Sequence, residues 1–165
     1  MYQIRQSIFE TNSSSVHVLV IPKDTKIDIP HSVYLFEGEY GLQADKEYDT
    51  LSYFYTACVE RGREEVEKFF NYLKRKGVEE ISSRELRWKK DSYEGEEYEY
   101  ADGFNGYIDH GGELPLDELF ANENLLDRFL FGTDSFVETG SDNGDYCPDV
   151  DNYDHDIYDT IEKGN

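Results

Sequence analysis

Apolar positions recur along this chain with two different periods, and the change from one to the other lays out its elements. Val16, Val18, Leu19, Val20 and Ile21 mark a β-rich run over about residues 15–21. Lys26-Ile27-Asp28-Ile29 follows and, beyond Pro30, Val33-Tyr34-Leu35-Phe36. Such runs, separated by proline and short polar links, predict an N-terminal antiparallel sheet. Glu37-Gly38-Glu39-Tyr40-Gly41 reads as a glycine-punctuated loop. From residue 50 the period lengthens. Leu51, Phe54, Tyr55, Cys58 and Val59 share one face of a helix capped by Asp49 or Thr50 and running to about Arg61. Val66, Phe69, Phe70 and Leu73 do the same for a second helix over about 62–76, which Gly77 stops. Acidic residues open that helix and Lys74-Arg75-Lys76 close it, complementing its dipole, so the basic cluster reads as a helix terminus.

Val78 to Lys90 suggests a short strand or turn. Beyond it, Tyr93-Glu94-Gly95-Glu96-Glu97-Tyr98-Glu99-Tyr100 alternates aromatic and acidic residues. Extended, it places Tyr98 and Tyr100 on one face and Glu97 and Glu99 on the other, ~6.8 Å apart. Pro115 opens a short helix to about Ala121, and Asn122 caps another through Phe131, with Leu125, Leu126, Phe129 and Leu130 inward and Gly132 at its end. Ser135 to Thr139 reads as a strand. The predicted fold is α+β: an N-terminal antiparallel sheet, a central helical pair, and an acidic C-terminal half of short helices and strands. Residues 1–140 are expected to form a single α+β domain. Residues 141–165 form an acidic C-terminal segment whose composition is compatible with partial disorder.

Charge sharpens this division. Of the net −21, residues 1–90 carry 14 Lys and Arg against 15 Asp and Glu, while residues 91–165 carry 2 against 22. The excess in the C-terminal part argues against direct binding to nucleic-acid phosphates, which needs a basic face. It points instead to a basic protein surface or to cations. Fourteen Tyr and ten Phe compensate for an apolar content of only 38%. Two widely separated cysteines, Cys58 and Cys147, make no disulfide framework, which fits a reducing cytoplasm. No run approaches the ~18 apolar residues of a membrane span, and no secretory leader is expected.

Three sets of residues are candidates for chemistry. Glu94, Glu96, Glu97, Tyr98, Glu99 and Asp102 form the first, an acidic face able to imitate a phosphate backbone with tyrosine as anchor. The second is a metal or catalytic site assembled from His17, Asp109, His110 and Asp142 with Cys147 or Asn12 as a further member; His, Asp and Cys are suitable zinc ligands, but here they lack a zinc-binding spacing. Both sets also have plain structural explanations: a solvated acidic surface, a hydrogen-bonded His17, and turn chemistry at Asp109-His110-Gly111-Gly112. The third is the aspartate spacing at 142–145 and 149–156, which suggests calcium but lacks the glycine and bidentate glutamate of an EF-hand. A Ser-His pair within Ser13 to His17 lacks an orienting carboxylate, and no phosphate loop or dinucleotide fingerprint is present.

Three patches carry a family resemblance: Ile8-Phe9-Glu10-Thr11-Asn12-Ser13-Ser14-Ser15-Val16-His17, Tyr107-Ile108-Asp109-His110, and Arg128 to Phe131 leading to Thr139-Gly140-Ser141-Asp142-Asn143-Gly144. The chain resembles small proteins of bacterial viruses and prophages that open with a Phe-Glu-Thr-Asn-Ser-Ser-Ser-x-His signature. The resemblance implies a phage or mobile-element origin and carries no catalytic role. Small acidic proteins from such sources include anti-CRISPR inhibitors. The leading expectation is therefore a cytoplasmic, non-enzymatic inhibitor of a CRISPR effector nuclease in the host bacterial cell. It would cover a basic nucleic-acid-binding surface and block loading. The rival expectation is a metal-dependent enzyme or zinc-stabilised binding protein centred on His17, Asp109 and His110.

Overall fold

A computed structural model describes residues 15–40, 46–108, 114–141 and 147–163. The chain is α+β, and its main sheet is antiparallel in the order β10-β1-β9-β4. Its strands are β1 (Ser15–Pro22), β4 (Lys46–Tyr48), β9 (Phe136–Ser141) and β10 (Tyr158–Lys163). The strand β1 is buried along nearly its whole length because both of its faces are covered. Leu19 and Ile21 point into the main core, whereas Val16, Val18 and Val20 meet Phe136, Val150, Tyr153 and Tyr158. A continuous apolar run is what a doubly covered strand requires.

The partners of β1 correct the sequence reading. Instead of pairing with its neighbours in sequence, it pairs with β9, Leu19 opposite Val137, and with β10, Leu19 opposite Ile161. The segment 26–29 forms no strand and makes one bridge, Ile27 to Gly132. The strand β2 (Ser32–Leu35) runs parallel to β5 (Glu80–Ser83), and β3 (Glu39–Tyr40) runs parallel to β8 (Tyr107–Ile108). The expected boundary at residue 140 does not isolate a tail. The acidic segment supplies β10 and, through Val150, Tyr153 and Tyr158, the cover for the second face of β1.

The helices follow local rules. Asp49 accepts a hydrogen bond from the Ser52 N–H at 2.9 Å and so caps α1 (Thr50–Arg61). Every residue of α1 from Ser52 to Val59 is buried, which makes it the central element of the fold. Phe54 at its middle packs edge-on against Phe69 and Phe120, with ring centroids 5.1 and 5.4 Å away. The second helix, α2 (Arg63–Lys76), ends at Gly77 with φ 102°, a left-handed stop that glycine adopts without steric cost. Tyr72, rather than Phe70, completes its buried face. Asn122 separates α3 (Leu116–Ala121) from α4 (Glu123–Phe131) and caps α4 by accepting from the Leu125 N–H at 3.2 Å.

The Lys74-Arg75-Lys76 cluster lies at a helix end and clamps it onto the start of α4. Lys76 pairs with Asp127 at 2.8 Å and with Glu123 at 3.2 Å, Arg75 pairs with Glu123, and the Tyr72 hydroxyl donates to Asp127. Among the described residues no helix is long and apolar enough to cross a membrane.

Candidate functional site

The aromatic–acidic alternation lies on a β-hairpin of β6 (Arg87–Tyr93) and β7 (Glu96–Asp102), joined by the two residues Glu94 and Gly95. Both have positive φ, 51° and 89°, the backbone that suits a two-residue hairpin turn. Tyr98 and Tyr100 share one face with ring centroids 6.1 Å apart, as the period-2 pattern requires. At the base Ala101 is buried and Trp88 packs against the core, while every residue from 89 to 97 is exposed. The hairpin is therefore anchored at one end and presented to solvent at the other.

Its electrostatics are set by both strands. The opposing strand β6 brings Arg87, Lys89 and Lys90, so the hairpin carries three cations against six carboxylates over 87–102. Arg63, which lies over the Trp88 ring at 5.8 Å, pairs with Glu99 at 2.9 Å, and Lys89 pairs with Asp102 at 2.8 Å. A hydrogen bond from Lys89 holds the Asp102 carboxyl below the usual carboxylate range, and the same contact raises Lys89. Desolvation, then the Asp91 carboxylate, pushes the Tyr98 phenol up. Glu94, Glu96 and Glu97, all exposed, have no ion-pair partner among the described residues. The six predicted residues thus divide into an uncompensated acidic tip, two ion-paired base residues and a half-buried tyrosine.

His17 occupies the interior of β1, opposite Thr139 of β9 and Lys163 of β10. It is fully buried, and its Nδ1 is hydrogen bonded to the Tyr53 hydroxyl at 2.9 Å. The Tyr53 ring in turn meets Tyr40 edge-on at 5.0 Å. This is a buried polar junction between the main sheet, α1 and β3. Asn12, Asp109, His110 and Asp142 lie outside the described residues. Cys147 is exposed. The described residues contain no group of three or more side chains able to hold a metal ion. That includes the aspartates of 149–156, where Asp149 and Asp154 instead accept hydrogen bonds from the N–H groups of Asp151 and Asp156. The aspartates of 142–145 lie outside the described residues.

Sequence reasoning missed a polar hub centred on Asp159. Arg128 of α4 donates to its carboxylate at 2.7 Å and to the Pro22 carbonyl at 3.3 Å, and Lys23 lies 3.8 Å from the same carboxylate. The hub floors a shallow cleft of about 490 Å³ between α4 and β10. Its charged groups are committed to one another, so the cleft reads as a structural seam. No signal in the sequence links residues so far apart as 23, 128 and 159. Compared with family models, with curated proteins and with solved structures, the chain finds no match.

Proposed function

We propose that this chain is a non-enzymatic inhibitor that docks on a basic, nucleic-acid-binding surface of a host defence nuclease, of the CRISPR effector class, in the bacterial cytoplasm. The observation that carries the reading is the hairpin tip. Three exposed glutamates, Glu94, Glu96 and Glu97, surround a tight turn, and the ion pairs Arg63–Glu99 and Lys89–Asp102 neutralise its base. That arrangement concentrates uncompensated negative charge where a groove lined with Lys and Arg can receive it, with Tyr93 and Tyr98 alongside to bury apolar surface. The N-terminal motif's resemblance to phage and prophage proteins supports the same reading.

Loading of nucleic acid tests it. A purified CRISPR effector nuclease, preincubated with this chain, is expected to lose binding of its guide RNA or target DNA in a dose-dependent way. Inhibitor added after loading should have much less effect. Unimpaired loading at a large excess of the chain would contradict the proposal.

A further inference from the structure

The register of the β6–β7 hairpin sorts its side chains between two faces. One face carries Trp88 and Ala101, which pack against the body, and Glu99, which pairs with Arg63 at 2.9 Å while that guanidinium lies over the Trp88 ring at 5.8 Å. The other face sets Lys89, Asp91 and Tyr93 of β6 opposite Tyr100, Tyr98 and Glu96 of β7. Its inner part is compensated, with Lys89 paired to Asp102 at 2.8 Å. Its outer part is not. Asp91 stands opposite Tyr98 and Glu96 opposite Tyr93, and neither carboxylate has an ion-pair partner among the described residues. Tyr93 is 40% exposed and Tyr98 half-buried. One Asp91 oxygen accepts from the Ser92 N–H at 2.8 Å, and the carboxylate keeps lone pairs for further donors.

We infer that this outer face is a receptor for arginine side chains of the partner, the guanidinium stacking on Tyr93 or Tyr98 while it donates to Asp91 or Glu96. The inference rests on the reading that the hairpin docks on a basic protein surface, and it names the residue which that surface presents. Charge selects the occupant: a neutral or acidic partner would leave both carboxylates unpaired in the contact. The chain itself uses the same combination twice. Arg63 takes Trp88 with Glu99, and Arg75 lies over the Tyr72 ring at 5.5 Å while pairing with Glu123. Lys76 joins Arg75 over Tyr72 at 5.4 Å, so a ring with carboxylates beside it accepts either cation. The preference comes from shape and hydration. A planar, weakly hydrated guanidinium stacks on a ring and still presents N–H groups to a carboxylate at its edge, whereas an ammonium holds its water and acts as a point charge. Tyr93 and Tyr98 are therefore cation platforms, and the face prefers arginine to lysine.

Titration of the full chain with a short capped Gly–Arg repeat peptide, and with its Gly–Lys counterpart, tests this without any nuclease. The NMR ring signals of Tyr93 and Tyr98 are followed. Both are expected to shift, and the arginine peptide to bind at least ~3-fold more tightly than the lysine peptide. Tyr93→Leu/Tyr98→Leu keeps every carboxylate and should equalise the two affinities. Asp91→Asn/Glu96→Gln keeps both rings, in case the leucine variant loosens the hairpin, and should weaken arginine-peptide binding at the rings at least ~3-fold. Equal affinities of the wild type for the two peptides overturn the inference. So do unmoved ring signals, an arginine preference that survives the leucine variant with its hairpin intact, or unchanged binding to the carboxylate variant. A chain that blocks nuclease loading without preferring arginine overturns this inference alone. An arginine preference at the rings in a chain that leaves loading unimpaired upholds the face and overturns only the nuclease reading.

Discussion

Arg63, at the first position of α2, holds Glu99 of β7 at 2.9 Å and so fastens the hairpin to the helical core. The pair is partly exposed, and pairs of that kind contribute roughly 0.2–1 kcal/mol. Arg63→Ala should therefore lower global stability only slightly while loosening the hairpin locally. The measurement is amide hydrogen exchange, with residues 96–101 expected to exchange faster than in the wild type. Unchanged exchange there would mean that Trp88 and Ala101 alone secure the hairpin.

Tyr72 gives the fold an alkaline limit. Burial, then its hydrogen bond to Asp127, raises the phenol far above its usual pKa near 10. A group whose pKa is raised on folding contributes its full stability below the unfolded value and loses it as pH rises toward the folded one. Stability should therefore fall with pH above about 10. Tyr72→Phe should flatten that fall and cost roughly 1–2 kcal/mol at neutral pH for the lost hydrogen bond. Urea titrations at several alkaline pH values compare the two slopes.

Asp159 joins the acidic segment to the body by accepting from Arg128 and facing Lys23. Asp159→Asn removes the charge from both contacts and should cost about 1 kcal/mol. Hydrogen exchange should accelerate selectively at residues 158–163. Equal protection in the two proteins would show that β-ladder pairing alone holds β10.

Phe54 lies at the meeting point of α1, α2, α3 and α4 through Phe69, Phe120 and Phe129. Phe54→Ala should destabilise the fold by roughly 3–5 kcal/mol, the range for removing a buried aromatic ring. Denaturant unfolding reads this as a lower midpoint at an unchanged slope.

What was legible in the sequence was local. Asp49, Gly77, Asn122 and Gly132 mark helix ends through bonds to residues a few positions away, so capping rules place them. The Tyr–Glu alternation gives the hairpin its faces for the same reason. The partners of β1 were not legible, because β9 and β10 lie more than a hundred residues away and a buried apolar strand carries no mark of what it pairs with. Lys26 to Ile29 has strand-like composition, yet the Asp28 N–H donates to the Phe131 carbonyl at the end of α4 and both isoleucines remain exposed. The Tyr–Glu alternation of β7 shows its own carboxylates but not that Arg87, Lys89 and Lys90 of β6 lie across from Asp102, Tyr100 and Glu99. His17 was legible as a hydrogen-bonded residue, but Tyr53 as its partner was not, since 36 positions separate them.

Association kinetics test the central claim most directly. Binding of the wild-type chain and a Glu94→Gln/Glu96→Gln/Glu97→Gln variant to a purified, guide-free CRISPR effector nuclease is measured across a salt series. The hairpin account predicts that the wild-type association rate falls steeply with salt. The variant should associate at least ~10-fold more slowly at low salt, with a flatter salt dependence. Equal rates and equal salt slopes for the two proteins would contradict it.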